Sequence, residues 1–245
     1  MNITTFLRKF SLCSCLQRKV TTNALKSRTK NTSSQQWLSR QLSDPYVEKA
    51  KLMNYRCRSA FKLLEINDKY DILKPGHVVL DVGAAPGSWS QVLAHTVNSN
   101  ESNKDLPTGI VIAIDKQNIY PIDGVHIFGN MDFTSIETQK KILEFLNKRT
   151  VDAVVSDMAP SATGIRYMDN ENMLKLCYSV LRFALEISVK NASFLVKLWQ
   201  CGETKQLEND IAQFYNKVKV VKPNASRSDS TEIYLLGREF KGLKT

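Results

Sequence analysis

From residue 44 onward, apolar runs of strand length alternate with longer amphipathic segments. The short runs are VVLDVG at 78–83, GIVIAID at 109–115, VHIF at 125–128, VDAVVSD at 151–157 and ASFLVKLW at 192–199. Their near-continuous Val, Ile and Leu content predicts strands buried on both faces, as in a parallel sheet. The intervening segments 88–97, 135–148 and 171–190 have the lengths and apolar spacing of crossover helices. Two further runs, NKVKVVKP at 216–223 and TEIYLLGREF at 231–240, are joined by polar NASRSDS with no helix between them, so antiparallel pairing is expected. Ahead of the first strand, RCRSAFKLLEINDKYDIL reads as an amphipathic helix with Phe61, Leu63, Leu64 and Ile66 among its apolar positions, stopped at Lys74-Pro75-Gly76. The segment 98–109 is polar and expected at the surface. The fold class is α/β, a doubly wound sheet with helices on both faces.

Charge divides the chain unevenly. The net charge is +10, but eight of the 34 basic residues precede the first acid, Asp44, while residues 44–245 carry 26 bases and 24 acids. The high isoelectric point therefore belongs to the first 43 residues and does not mark the body as a polyanion binder. That leader is rich in Arg, Lys, Ser and Thr, lacks acids, and begins with Ile3, Phe6, Leu7 and Phe10 at helical spacing beside Arg8 and Lys9. It reads as a mitochondrial presequence covering 1–43, ahead of a single domain over 44–245. The competing reading is a solvated basic tail. No run approaches the roughly 18 apolar residues of a membrane span. The five cysteines form no C-x-x-C pair and the three histidines are scattered, so no metal site is expected.

The first strand ends in Asp81-Val82-Gly83-Ala84-Ala85-Pro86-Gly87-Ser88-Trp89 and a helical pattern follows at once. Such a glycine turn lets a ligand approach the main chain. Its spacing is not G-x-G-x-x-G, and Pro86 removes an N–H that a pyrophosphate would use, which argues against a dinucleotide and for a smaller nucleoside. Asp115, at the end of the second strand, suits a ribose diol, and Asp132, in the loop after the third, suits an adenine amino group.

DVGAAPGSWSQ at 81–91, SDMAP at 156–160, FLVKLWQ at 194–200 and SRSDSTEIYLL at 226–236 together resemble the FtsJ/RrmJ family of S-adenosylmethionine-dependent RNA ribose 2'-O-methyltransferases. The resemblance spans roughly residues 44–240. It implies a Rossmann-like methyltransferase fold with a seven-stranded, mostly parallel sheet and an antiparallel last strand. It also implies a catalytic K-D-K-E set at Lys62, Asp157, Lys197 and Glu232. Cofactor contacts are implied at Gly83, Pro86, Gly87, Ser88, Trp89, Asp115, Asp132 and Asp157, with S-adenosyl-L-methionine as donor. With the leader, the likeness points to members that methylate a uridine in the A-loop of mitochondrial large-subunit rRNA. The partner would then be that rRNA within an assembling large subunit, met in the matrix by a monomer. Asp229 and Thr231 depart from the more basic stretch that bacterial members place before the final glutamate.

A ribose 2'-hydroxyl is a weak nucleophile whose proton must leave as it attacks, so a positioned base is needed. A lysine can serve only if its pKa falls toward neutrality; burial and a second ammonium push it down, carboxylates push it up. Lys197 is expected as base, Asp157 as orienting acid, Lys62 as held charge and Glu232 as the group fixing the lysines. RNA contacts are expected from Lys49, Lys51, Arg56 and Arg58, with Tyr46 and Tyr55 interleaved, extended by Arg227. The alternatives are a cytosolic tRNA or cap methyltransferase and an assembly factor acting mainly by binding.

Overall fold

In the computed structural model, residues 43–243 are described, and the basic leader lies outside them except for its last position. Strands β1 (Val78–Val82), β2 (Ile110–Ile114), β3 (Val125–Phe128), β4 (Val151–Ser156) and β5 (Ser188–Trp199) pair in parallel. Strand β6 (Tyr215–Val221) and β5 flank β7 (Glu232–Phe240), which runs antiparallel to both. The order is β3-β2-β1-β4-β5-β7-β6, the seven-stranded sheet the sequence leads one to expect. It reverses direction of growth between β1 and β4, where ligands of open α/β sheets bind.

Among the described residues, six helices accompany the sheet: α1 (Pro45–Leu52), α2 (Ala60–Tyr70), α3 (Ser88–Thr96), α4 (Ile136–Leu146), α5 (Arg166–Ile187) and α6 (Thr204–Phe214). Alternation along each strand assigns the faces. Leu80, Ile112, Val154 and Leu235 pack with Ile142 of α4, Phe183 of α5 and Leu207 of α6. Val79, Val155, Leu195 and Tyr234 point the other way, against Leu63 and Ile66 of α2 and Trp89 and Leu93 of α3. Each fully buried aliphatic contributes about 1.5–3 kcal/mol relative to exposure, so both faces hold the sheet. Pro45–Thr245 forms one compact unit, and among the described residues no helix is long and apolar enough to cross a membrane.

Several boundaries differ from the sequence expectation for local reasons. Helix α2 starts at Ala60 rather than 56, because Arg56 N donates to Gln91 Oε1 and Gln91 Nε2 donates to Asn54 O, both at 2.9 Å, which ties residues 54–56 across α3. Helix α5 begins at Arg166, five residues early, where the Asp169 carboxylate accepts from Thr163 N and Oγ1 at 2.7 Å each and closes the preceding loop. It ends at Ile187 because Ser188 is already paired with Val151, ahead of a register shift. Helices α1 and α6 were not expected. In the polar segment 98–109, Asn98 is buried and organises the loop, donating to Asn103 O at 2.8 Å and accepting from Asn103 N at 3.0 Å.

Strand β6 is an edge of the sheet and carries exposed Lys217 and Lys219, with Lys217 ion-paired to Glu239 on β7. Under it, Tyr215 stacks on Phe194 at 5.8 Å and meets Phe240 at 5.3 Å. A Cβ added at Gly237 would lie 2.8 Å from Tyr215 Cγ and 3.1 Å from Ile211 Cγ2, both fully buried groups with nowhere to move. Gly237→Ala should therefore cost about 1–3 kcal/mol, read as a lower urea midpoint with an unchanged slope; a midpoint within error of the parent would contradict this packing.

Candidate active site

The sheet register brings distant residues into one row. Val155 pairs with Leu195 and Leu195 with Leu236, all on the face covered by α2 and α3. Two residues further along each strand, on the same face, come Asp157, Lys197 and Tyr234, with Lys197 and Tyr234 directly paired. Glu232 follows two residues before Tyr234, paired with Trp199. All of these stand at the carboxyl end of the parallel strands.

Side-chain contacts close the group. Lys197 Nζ lies 3.2 Å from Asp157 Oδ1 and also donates to the Asp157 main-chain oxygen. The Tyr234 hydroxyl donates to the same Oδ1 at 2.8 Å. From α2, Lys62 Nζ reaches Glu232 at 2.7 Å to Oε1 and 2.8 Å to Oε2, and stands 5.9 Å from the centre of the Tyr234 ring. Ser226 Oγ donates to Glu232 Oε1 at 2.8 Å. Lys62, Asp157, Lys197 and Glu232 thus meet as two ion pairs with Tyr234 between them. Burial first, then the charges of Asp157 and Glu232, push the Tyr234 phenol well above its ordinary range, so it stays a neutral donor. Sequence reasoning missed Tyr234; its signal was the same-face spacing to Glu232.

A cavity of about 540 Å³ opens beside this cluster, lined among others by Gly83, Asp115, Asp132, Asp157 and Met158. Its volume is in the range of small-molecule sites. Of the four charged residues, Asp157 alone lines it and so belongs to both cavity and cluster. Asp115 accepts from Ala85 N at 2.9 Å and Gln117 N at 2.7 Å, which fixes its carboxylate while leaving each oxygen a second lone pair. Burial raises the Asp132 pKa, but the Thr134 hydroxyl and N–H and the Lys116 ammonium outweigh it and hold the group below its usual range. Gly83, at φ 80°, packs so closely on Met158 that a Cβ would lie 2.2 Å from its Cγ and 2.9 Å from its Cα. That contact brings the loops after β1 and β4 together at the cavity wall.

The side chains in the rest of the glycine turn are directed away from this cavity. Pro86, Gly87, Ser88 and Trp89 are not among the residues lining the cavity. Ser88 Oγ contacts Ser59 Oγ at 2.8 Å and Cys57 Sγ at 3.0 Å, and Trp89 Nε1 donates to Ser59 O at 2.9 Å. Both side chains are buried, with the Trp89 ring 5.7 Å from that of Tyr234. They anchor the segment that leads into α2 and thereby place Lys62; a ligand would find only their main chain.

The expected RNA stripe also divides. Lys49 and Lys51 are exposed on α1, with Lys49 Nζ 4.8 Å from the Phe61 ring centre. Arg56 instead donates to three main-chain carbonyls, and Arg58 donates to Ala225 O beside the Tyr46 ring. These two guanidiniums brace loops of the protein itself. Arg58 thereby draws the loop bearing Ser226 and Arg227 toward Lys62 and Glu232.

Residues 55–240 match the FtsJ-like methyltransferase family. The chain belongs to that family. It is 56% identical over 218 residues to "rRNA methyltransferase 2, mitochondrial" of Drosophila melanogaster, covering 89% of this chain and 86% of that protein. It is 42% identical over 217 residues to "Ribosomal RNA large subunit methyltransferase E" of Brucella anthropi, covering 89% and 88%. A crystal structure of a ribosomal RNA methyltransferase from Plasmodium falciparum superposes with a TM-score of 0.64 at 30% identity, covering 77% of this chain and all of that one.

For an FtsJ-like methyltransferase, the cavity's donor set fits the methyl donor. Asp115 offers carboxylate lone pairs to ribose hydroxyls, Asp157 offers negative charge near a sulfonium, and Gly83 leaves main chain open to approach. The bound donor supplies an electrophilic methyl group. Another acid stands just outside: Asp81 is fully buried, its Oδ2 accepts from Ser90 Oγ at 2.6 Å, and its Oδ1 has no hydrogen-bond partner. Burial pushes its pKa up to about 7, Ser90 opposes the rise, and the charges of Asp157 and Asp115 add to it.

Two outcomes follow for this site. A carboxyl whose folded pKa exceeds its unfolded value stabilises below the unfolded pKa and loses that contribution as pH rises through the folded one. Asp81 should thus make the donor-free protein less stable between pH 4 and pH 7, by about 4 kcal/mol for a shift from 3.8 to about 7. Asp81→Asn should flatten this decline in a melting series; an unchanged profile would mean the carboxyl is ionised when folded. Tyr234→Phe removes a donor to a carboxylate, worth about 1.5–3 kcal/mol, and should lower methyl transfer at saturating substrates roughly tenfold or more. Transfer at the parental rate would make the hydroxyl dispensable.

Proposed function

We propose that this protein transfers a methyl group from S-adenosyl-L-methionine to the ribose 2'-hydroxyl of a uridine in the A-loop of mitochondrial large-subunit rRNA. It does so in the matrix, as a monomer acting on an assembling large subunit, with residues 44–245 as a single catalytic domain behind a presequence. The observation that carries the reading is the meeting of Lys62, Asp157, Lys197 and Glu232 at the rim of an acid-lined cavity. The Drosophila relative's name and the acid-free basic leader support the mitochondrial assignment. The Brucella relative's name supports the large-subunit rRNA.

In this reading Lys197, in its neutral amine form, accepts the 2'-hydroxyl proton at Nζ as the oxygen bonds to the donor methyl in line and the S–CH3 bond breaks, releasing S-adenosylhomocysteine. Asp157 holds that amine from two sides, through its carboxylate and its main-chain oxygen, and is itself fixed by Tyr234. Lys62 presents positive charge to the approaching nucleotide and is kept in place by Glu232, which Ser226 steadies. Alignment is the largest contribution, since well-oriented groups can remove about 7–11 kcal/mol of barrier. Exposed Lys49 and Lys51 on α1, with Arg227 beside the cluster, supply the phosphate contacts. The described body has no strong basic excess, and a structured ribonucleoprotein particle suits it better than naked RNA.

The test pairs chemistry with mapping. Lys197→Ala should bind donor and particle but transfer methyl about 100-fold or more slowly, as loss of a general base predicts. Depleting the protein should remove one ribose methyl from a uridine of mitochondrial large-subunit rRNA. Unimpaired transfer by Lys197→Ala would remove the base assignment, and a mark lost only from cytosolic tRNA would overturn location and substrate together.

A further inference from the structure

The Arg56 guanidinium is held by carbonyls from two loops. Nη1 donates to Pro86 O at 2.7 Å and Tyr120 O at 2.9 Å, and Nη2 donates to Pro121 O at 2.7 Å. Pro86 belongs to the glycine turn after β1, whereas Tyr120 and Pro121 belong to the loop after β2. The same two loops supply cavity walls, Gly83 and Ala85 from the first and Asp115, Lys116 and Gln117 from the second. On the cavity side Ala85 N donates to Asp115 Oδ2 at 2.9 Å, Gly83 N and Ala84 N donate to Ile114 O at the end of β2 at 2.8 and 3.0 Å, and Ala84 and Ala85 pack with Ile119 and Ile122. Arg56 joins them at a further point and is itself pinned to α3, since its N–H donates to Gln91 Oε1 at 2.9 Å.

Gly87 is an independent sign that the strut is built in. A Cβ there would lie 2.7 Å from Arg56 Nη1 and 2.6 Å from Ile122 Cδ1. The second glycine of the turn therefore makes room for the guanidinium and for the loop it grips. Charge-assisted bonds from a rigid, planar fork to several carbonyls need arginine; a lysine ammonium is a single point on a flexible stem. Three of the five N–H groups of this guanidinium, and both Nη1 hydrogens, are committed to these loop carbonyls.

We propose that Arg56 is a positioning residue for the methyl donor: by fastening the glycine turn to the loop after β2, it sets the spacing of the walls between which the adenosyl part binds. It takes no part in holding RNA. The proposal rests on the reading of the cavity as the methyl-donor site.

Calorimetry on the full-length protein with S-adenosylhomocysteine and S-adenosylmethionine tests it, alongside affinity for an rRNA hairpin at several salt concentrations. Arg56→Ala should weaken both nucleosides about tenfold or more by loss of preorganisation. Arg56→Lys should recover only part of that loss, and added guanidinium ion should restore binding to Arg56→Ala. The KM for the donor should rise while turnover at saturating donor is retained. RNA affinity and its salt slope should stay within about twofold of the parent, whereas loss of a phosphate contact would lower that slope by about one. Unchanged nucleoside affinity, or a reduced salt slope, overturns the proposal. If Arg56→Ala does not fold, Gly87→Ala, which displaces the guanidinium, must weaken the nucleosides and not the RNA. A parent protein that binds neither nucleoside would sink the reading of the cavity itself; a parent that binds them and variants that bind equally well would sink only the strut.

Discussion

The pair formed by Lys197 and Asp157 is the contact on which the rest of this structure converges. Burying two opposite charges costs several kcal/mol per ion, recovered only where geometry is good and the remaining donors and acceptors are satisfied. Here the side chains are about one-tenth and one-fifth exposed, and the partners come from three directions. The Asp157 main chain takes a second lysine hydrogen bond, and Tyr234 takes the carboxylate. Cys177 on α5 donates to the Lys197 main-chain oxygen at 3.3 Å from the opposite face. Such a pair needs adjacent strands in fixed register, and inserting β7 antiparallel beside β5 is what brings Tyr234 opposite Lys197.

Around that pair the glycine-turn motif also acts as internal bracing. Ser88, Trp89 and Gln91 all direct their polar groups at residues 54–59, the turns before α2. Lys62 sits on the first turn of that helix, so its distance to Glu232 depends on how firmly this stretch is held. Arg58 does the same from the other side by gripping Ala225, one residue before the serine that bonds Glu232. One short sequence therefore both lines the cavity, through Gly83 and Ala85, and helps set the position of Lys62 on another element.

What could be read from the sequence follows from what local pattern encodes. Strands buried on both faces announce themselves as continuous apolar runs, so the sheet and its antiparallel final pair were visible. The four charged residues could be placed by their motifs, and their meeting depends on a parity of strand positions that the sequence does carry. The bracing by Arg56 and Arg58 was not legible, because only the fold brings carbonyls of residues 86, 120, 121 and 225 to them. The inward direction of the Ser88 and Trp89 side chains was likewise not legible, since a turn motif does not say which way its side chains point. Helix α6 was legible but missed: Leu207, Ile211 and Phe214 recur at i, i+4 and i+7 and pack on the core, within an otherwise polar segment.

The lysine-bearing margin of the sheet has a bearing on how the protein keeps company. Strand β6 leaves one row of peptide groups without a neighbouring strand, the template on which chains polymerise edge to edge. Lys217 and Lys219 place charge along it, and a second molecule laid alongside would set like charges against each other. A large, slowly formed parallel sheet can in this way stay dispersed at high local concentration.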